Sequence, residues 1–195
     1  QALKAMADKQ FDLAIVDPPY GIGAENHAGN KDNGWTQWAK KDWDKAIPTA
    51  EYWQELFRVS KNQIVWGANY MTEYLPPKMG WIVWDKGQRD FSLADGELAW
   101  TSFDKAMRIF TYARAKALKE CKIHPTQKPT DLYKWLLDKY AKQGDKILDT
   151  HLGSGSIAIA CWDMGYDLTA YEVDKEYFDN ACKRLETHKA QLTLW

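Results

Sequence analysis

Residues 11–17 (FDLAIVD) form a nearly unbroken apolar run rich in β-formers, and Pro18 and Pro19 stop it because proline donates nothing to a ladder. The pattern predicts a buried parallel strand with Asp17 at its carboxyl end. Residues 21–47 are polar, with Gly21, Gly23, Gly29 and Gly34 among Asn, Lys and Asp, and read as a long mobile loop. Pro48 and Thr49 then open an amphipathic helix with Tyr52, Leu56 and Val59 on one side. Short apolar runs predict strands at 62–67, 80–85, 96–102 and around 108–112. Beyond Pro129, an apolar stripe of Leu132, Trp135, Leu136 and Tyr140 predicts a helix lying on a core. A strand at 146–149 follows, then the turn Gly153-Ser154-Gly155 and a helix of small residues at 156–164. A strand at 167–173 carries Glu172 at its end, and Asp174 caps a final helix. Strands alternating with helices predict an α/β fold, a mostly parallel sheet with helices on both faces.

The chain has 195 residues, which suits a single domain spanning 1–195. A chain of this size buries roughly 70% of the surface its unfolded form exposes, so it needs no disulfide or metal staple. The three cysteines, Cys121, Cys161 and Cys182, form no CxxC pair, and the four histidines have no zinc-ligand spacing. The expectation is a reduced, cytoplasmic protein without a metal. No uncharged apolar run is long enough to span a membrane, and the first eleven residues lack the pattern of a secretory leader. The net charge of −1 announces no general affinity for nucleic acid, so any phosphate-binding patch is local. Eleven Trp and ten Tyr supply packing, and some of them can stack on bases.

Two sites carry chemistry. The first is Asp149-Thr-His151-Leu-Gly153-Ser154-Gly155 between a strand and a helix, with Glu172 at the end of the next strand. Glycines let the backbone turn sharply and approach a ligand, and the acid can take both hydroxyls of a ribose. Residues 153–158 also fit the relaxed dinucleotide pattern GxGxxA, so NAD binding stays open, as does a tight turn with no ligand. The second site is Asp17-Pro18-Pro19-Tyr20. It offers two acceptors, the Asp17 carboxylate and the Pro18 carbonyl, beside an aromatic face. That set suits an exocyclic amino group on a flat base; the alternative is a stiff strand end with a capping Asp.

With these residues in view, the chain resembles the amino-methylating DNA methyltransferases that use S-adenosyl-L-methionine. In that family DPPY is the catalytic motif and a DxFxGSG-like stretch binds the cofactor. Here DPPY precedes the glycine motif by about 130 residues, similar to the circularly permuted beta group. The stretches HPTQKP (124–129), WIVWDK (81–86) and ELAWTS (97–102) also resemble that group, so the likeness spans residues 11–184. The order of five motifs sets NAD binding aside.

The resemblance implies a three-layer Rossmann-like methyltransferase fold. It implies that Asp17, Pro18, Pro19 and Tyr20 hold the target base. Asp149, His151, Gly153, Ser154 and Gly155 would wrap the cofactor, Glu172 its ribose, and Thr126 and Lys128 would lie beside it. For Lys128 the alternative is an ordinary solvated lysine, and His124 caps or orients its loop. His151 stands where the family usually has Phe, and Thr150 where it often has Pro, so packing on the cofactor differs.

The implied reaction is methyl transfer to the N6 amino group of an adenine flipped from a DNA duplex. The alternatives are N4-cytosine, RNA adenine, or a non-catalytic nucleic-acid-binding subunit. Flipping costs a few kcal/mol, and stacking on an aromatic such as Tyr20 returns about 1–3 kcal/mol. Residues 103–122 carry Lys105, Arg108, Arg114, Lys116, Lys119 and Lys122 against Asp104 and Glu120, six cations to two acids, a net of +4. This short segment is the expected target-recognition region, and the 21–47 loop, with Trp35, Trp38, Lys40 and Lys41, is the other candidate DNA contact. A recognition segment this short favours a homodimer that grips more duplex.

Overall fold

The computed structural model describes residues 2–23, 43–89, 94–113, 116 and 123–192. Seven strands form one sheet: β1 (Phe11–Val16), β2 (Ser60–Trp66), β3 (Trp81–Asp85), β4 (Gly96–Thr101), β5 (Arg108–Thr111), β6 (Lys146–Asp149) and β7 (Asp167–Ala170). Their spatial order is β5-β3-β4-β2-β1-β6-β7. All neighbouring pairs are parallel except those made by β4, which runs antiparallel to both β2 and β3. The helices are α1 (Ala50–Val59), α2 (Thr130–Tyr140), α3 (Ser156–Met164) and α4 (Lys175–Leu192), with short 3₁₀ turns at Ala2–Ala5 and Ala68–Tyr70. No helix among the described residues is long and apolar enough to cross a membrane.

Alternation along each strand explains the layers. Leu13 and Ile15 of β1 pair in register with Ile147 and Ile64 and pack beneath Leu132, Leu136 and Leu137 of α2 and Ile157 and Ala160 of α3. Ala14 and Val16 face the other way, with Val65, Trp100 and Leu148, against Trp53, Leu56 and Val59 of α1. Two apolar cores sandwich the sheet, so this is the expected three-layer Rossmann-like architecture with helices on both faces.

Direction matters for function. At a mostly parallel sheet, ligands gather outside the carboxyl ends of the strands. Asp17, Gly67, Lys86 and Thr150 each follow directly on β1, β2, β3 and β6. Glu97 lies at the start of β4, and because β4 is antiparallel its beginning lies at the same edge. The final helix starts as expected, with Asp174 accepting from the Tyr177 N–H at 3.0 Å. β7, however, ends at Ala170, so Glu172 stands on the loop after the strand and not on it.

Leu136 is fully buried in the seam between α2 and the sheet. Leu136→Ala is expected to lower the unfolding free energy by about 2–5 kcal/mol, read from urea denaturation. A loss below about 1 kcal/mol would mean that the helix does not seal this core.

Candidate active site

The two prolines carry the chain away from β1 and leave Asp17 at the rim, its side chain 17% exposed. The Tyr20 hydroxyl donates to Asp17 Oδ1 at 2.6 Å, and Lys128 Nζ donates to Asp17 Oδ2 at 2.5 Å. Asp44 fastens the turn from below by accepting from the Tyr20 and Gly21 backbone N–H groups at 2.6 and 2.9 Å. The Tyr20 ring stacks on Tyr70 at 5.3 Å between centroids. The Tyr20 ring is therefore held in place by Tyr70 and the tetrad's own hydrogen bonds.

Gly67 makes this arrangement possible. It follows β2 with φ +65°, and a Cβ there would fall 2.0 Å from Tyr20 Cε1. Any side chain at this position displaces the ring, so only glycine lets Tyr20 lie flat against the end of β2.

Lys128 corrects the expectations drawn from the sequence. It is not a solvated lysine, and besides lining the cavity with the glycine turn it reaches the tetrad. Its side chain is 2% exposed, and its ammonium bridges Asp17 Oδ2 and Glu97 Oε2, the latter at 3.1 Å. The Tyr20 hydroxyl lies 3.3 Å from the same nitrogen, which stands over the Trp66 ring at 5.3 Å from its centroid. Glu97 in turn pairs through Oε1 with Lys86 at 2.8 Å. Lys86, Glu97, Lys128 and Asp17 thus alternate in sign along one hydrogen-bonded chain. Burial pushes the Asp17 carboxyl up and the Glu97 charge adds to this, while the Lys128 ammonium and the Tyr20 hydroxyl pull it back. For Glu97 the two flanking ammonium groups overcome burial and hold it down at about 2. Lys128, desolvated but set between two carboxylates, is raised above the ordinary lysine value.

The glycine turn stands on the neighbouring strand. Asp149 is buried and accepts from the His151 N–H at 2.9 Å; burial pushes its carboxyl up to about 8. Desolvation lowers His151 to about 4, so its ring is neutral, and it packs edge-on to Tyr52. Gly153 has φ +52° and donates its N–H to Glu172 Oε2 at 2.8 Å, while Glu172 Oε1 accepts from the Asp174 N–H at 2.9 Å. Glu172 therefore ties the turn to the loop after β7 and keeps further lone pairs for a ligand. Arg184 of α4 braces the turn by donating to the Ser154 carbonyl and the Ser156 hydroxyl. His124 sits against Tyr177, with the Thr126 hydroxyl 3.1 Å from its Nδ1.

Both sites open on one cavity of about 200 Å³. Asp17, Pro19, Thr126 and Lys128 line it on one side, and His151, Gly153, Ser154 and Glu172 on the other. Pro18, Tyr20, Asp149 and Gly155 are not part of the lining. Trp43, Tyr177 and Val173 also line it, and Val173 is 94% exposed, an apolar side chain left open to solvent.

Four contributors were not anticipated from the sequence: Glu97, Asp44, Trp43 and Gly67. Asp44 and Trp43 belong to the segment read as a mobile loop, yet Asp44 is 1% exposed and holds the tetrad. The rest of that loop, residues 24–42, lies outside the described residues, together with Trp35, Trp38, Lys40 and Lys41. Of the basic segment, residues 114–115 and 117–122 also lie outside. Its described part includes strand β5, and Lys105 is occupied by the Lys139 carbonyl and the rings of Phe103 and Tyr140.

The profile of the DNA methylase family N6_N4_Mtase matches residues 65–183, well over half of the chain. The chain belongs to this family of DNA methylases. The match begins beyond the DPPY tetrad, but a wider similarity includes it. The Type II methyltransferase M.HpaI of Haemophilus parainfluenzae is 26% identical, over 96% of this chain and 72% of the relative. Among solved structures, a complex of M1.HpyAVI with SAM has a TM-score of 0.61 at 21% identity, covering 94% of this chain and 92% of that one. The cytosine-N4-specific PvuII DNA methyltransferase reaches 0.58 at 10% identity, covering 92% and 81%. These structures share the fold.

The methylase site makes Gly67 a sensitive position. Gly67→Ala is expected to displace Tyr20 and reduce DNA methylation at least about tenfold, equivalent to about 1.4 kcal/mol, in a protein that still melts cooperatively. Unchanged activity would show that the placement of Tyr20 is not needed.

Proposed function

We propose that this DNA methylase moves the methyl group of S-adenosylmethionine to the N6 amino group of an adenine flipped out of duplex DNA. One observation carries the reading: Asp17 of the DPPY tetrad and the glycine turn with Glu172 address a single cavity. A methyl acceptor and a methyl donor must meet in such a space.

The residues suit the cofactor. Gly153 has no side chain to narrow the cavity where it faces His124, Glu172 keeps acceptor capacity for ribose hydroxyls, and exposed Val173 offers an apolar wall for a flat ring. When bound, S-adenosylmethionine supplies an electrophilic methyl on a sulfonium. The protein supplies the rest. Asp17 and the Pro18 carbonyl accept the two amino hydrogens, which localises the nitrogen lone pair and stabilises the positive charge that develops there. Tyr20, stiffened by its stack on Tyr70, is the proposed aromatic partner of the base. Asp at the first position of the tetrad supports adenine, because the cytosine-N4 enzymes of this family more often carry Ser there. The motif order supports the permuted beta group. The 21–47 loop and the cations of residues 103–122 are the proposed duplex contacts, extended by a second copy of the chain.

Asp17→Asn keeps the shape, removes the charge and can turn a donor towards the amino group. It is expected to slow single-turnover methyl transfer at least a hundredfold, on the order of 3 kcal/mol, with cofactor affinity near wild type. Retained turnover would defeat the assignment of Asp17. Glu172→Ala is expected to weaken S-adenosylmethionine binding by roughly 1–3 kcal/mol in calorimetric titration. Unchanged affinity would put the ribose elsewhere.

A further inference from the structure

We propose that Lys128 is a positioning residue: clamped by Glu97, it holds Asp17 as an ionised, correctly aimed acceptor for the amino group of the base. The inference rests on the proposed methyl transfer and deepens it.

A carboxyl group in this site faces two hazards. Withdrawn from water and close to Glu97, Asp17 gains from taking up a proton, and a protonated carboxyl presents a hydroxyl donor to an amino group that needs an acceptor. It is also free to rotate, and a misaimed carboxylate loses its value in the transition state. Lys128 answers both. Its ammonium supplies the opposing charge at 2.5 Å from Oδ2, while the Tyr20 hydroxyl fixes Oδ1 from the other side. Each oxygen keeps a lone pair for the substrate.

The charge must then survive burial itself. A lysine with a 2% exposed side chain and one carboxylate partner would lose much of its advantage to desolvation. Glu97 provides the second carboxylate at 3.1 Å, and Lys86 anchors Glu97 at 2.8 Å. The groups facing Asp17 are therefore Tyr20 from the tetrad, Lys128 from the loop before α2, Glu97 from β4, Tyr133 from α2 and Asp149 from β6. Lys128 is the cation among them. Along the chain Lys86–Glu97–Lys128–Asp17 the two ammonium and two carboxylate charges sum to zero, so Asp17 is ionised without adding a net charge to it.

Single-turnover methylation of unmethylated DNA at saturating S-adenosylmethionine, followed from about pH 5 to about pH 9, tests the role, with cofactor affinity measured in parallel. In Lys128→Met, Asp17 retains its proton to higher pH. The acidic limb of the profile should move up by about 1–3 pH units, activity recovering towards alkaline pH, with cofactor affinity within about twofold of wild type. Lys128→Gln, which keeps hydrogen-bond donors and covers the case in which the Met variant does not fold, should show the same shift. Lys128→Arg retains the charge and should leave the limb in place, even if altered geometry lowers the rate. An unmoved limb in the uncharged variants overturns the inference while leaving methyl transfer intact. So does a loss that appears in cofactor affinity, which would return Lys128 to the cofactor site. A wild-type protein that transfers no methyl to DNA overturns the functional reading and this inference with it.

Discussion

The ion pair between Asp17 and Lys128 joins residues 111 positions apart in sequence and organises the site around itself. One partner follows directly on β1; the other stands in the loop that leads into α2. Without Lys128, Asp17 and Glu97 would lose the cation that stands between them. The pair therefore works as a latch. With it closed, Asp17 is aimed, the 123–129 loop is pinned across the carboxyl edge of the sheet, and Thr126 and His124 are carried to the glycine turn.

Sheet topology supplies the remaining charges. Had β4 run parallel to its neighbours, Glu97 would lie at the opposite edge, far from Lys128. The antiparallel course puts the first residues of β4 beside the last residues of β2 and β3, and Glu97 meets both Lys128 and Lys86 there. Gly67 does the same for the aromatic part, since the end of β2 leaves room for Tyr20 only by lacking a side chain. A fold shared with relatives of low identity thus carries, in these particular residues, an electrically balanced pocket.

Much of this was legible in the sequence, because it depends on local pattern. Apolar runs bounded by Pro and Gly marked the strands, with ends shifted by up to three residues, and the stripe from Leu132 to Tyr140 marked α2. The glycine turn and the DPPY tetrad identified themselves by composition. What escaped was long-range. Glu97 looked like a strand residue of no particular consequence, because nothing local reveals which way β4 runs. Lys128 was read by its neighbours in HPTQKP, whereas its long side chain reaches past the cofactor side to Asp17. Asp44 was hidden in a polar stretch, because only the fold shows that two backbone N–H groups at the tetrad need its carboxylate.

The proposed acceptor site for an exocyclic amino group is tested most directly by the identity of the methylated nucleoside. DNA incubated with the protein and methyl-labelled S-adenosylmethionine, then digested to nucleosides, should carry its label in N6-methyldeoxyadenosine. Label in N4-methyldeoxycytidine, or none in DNA, would contradict the account.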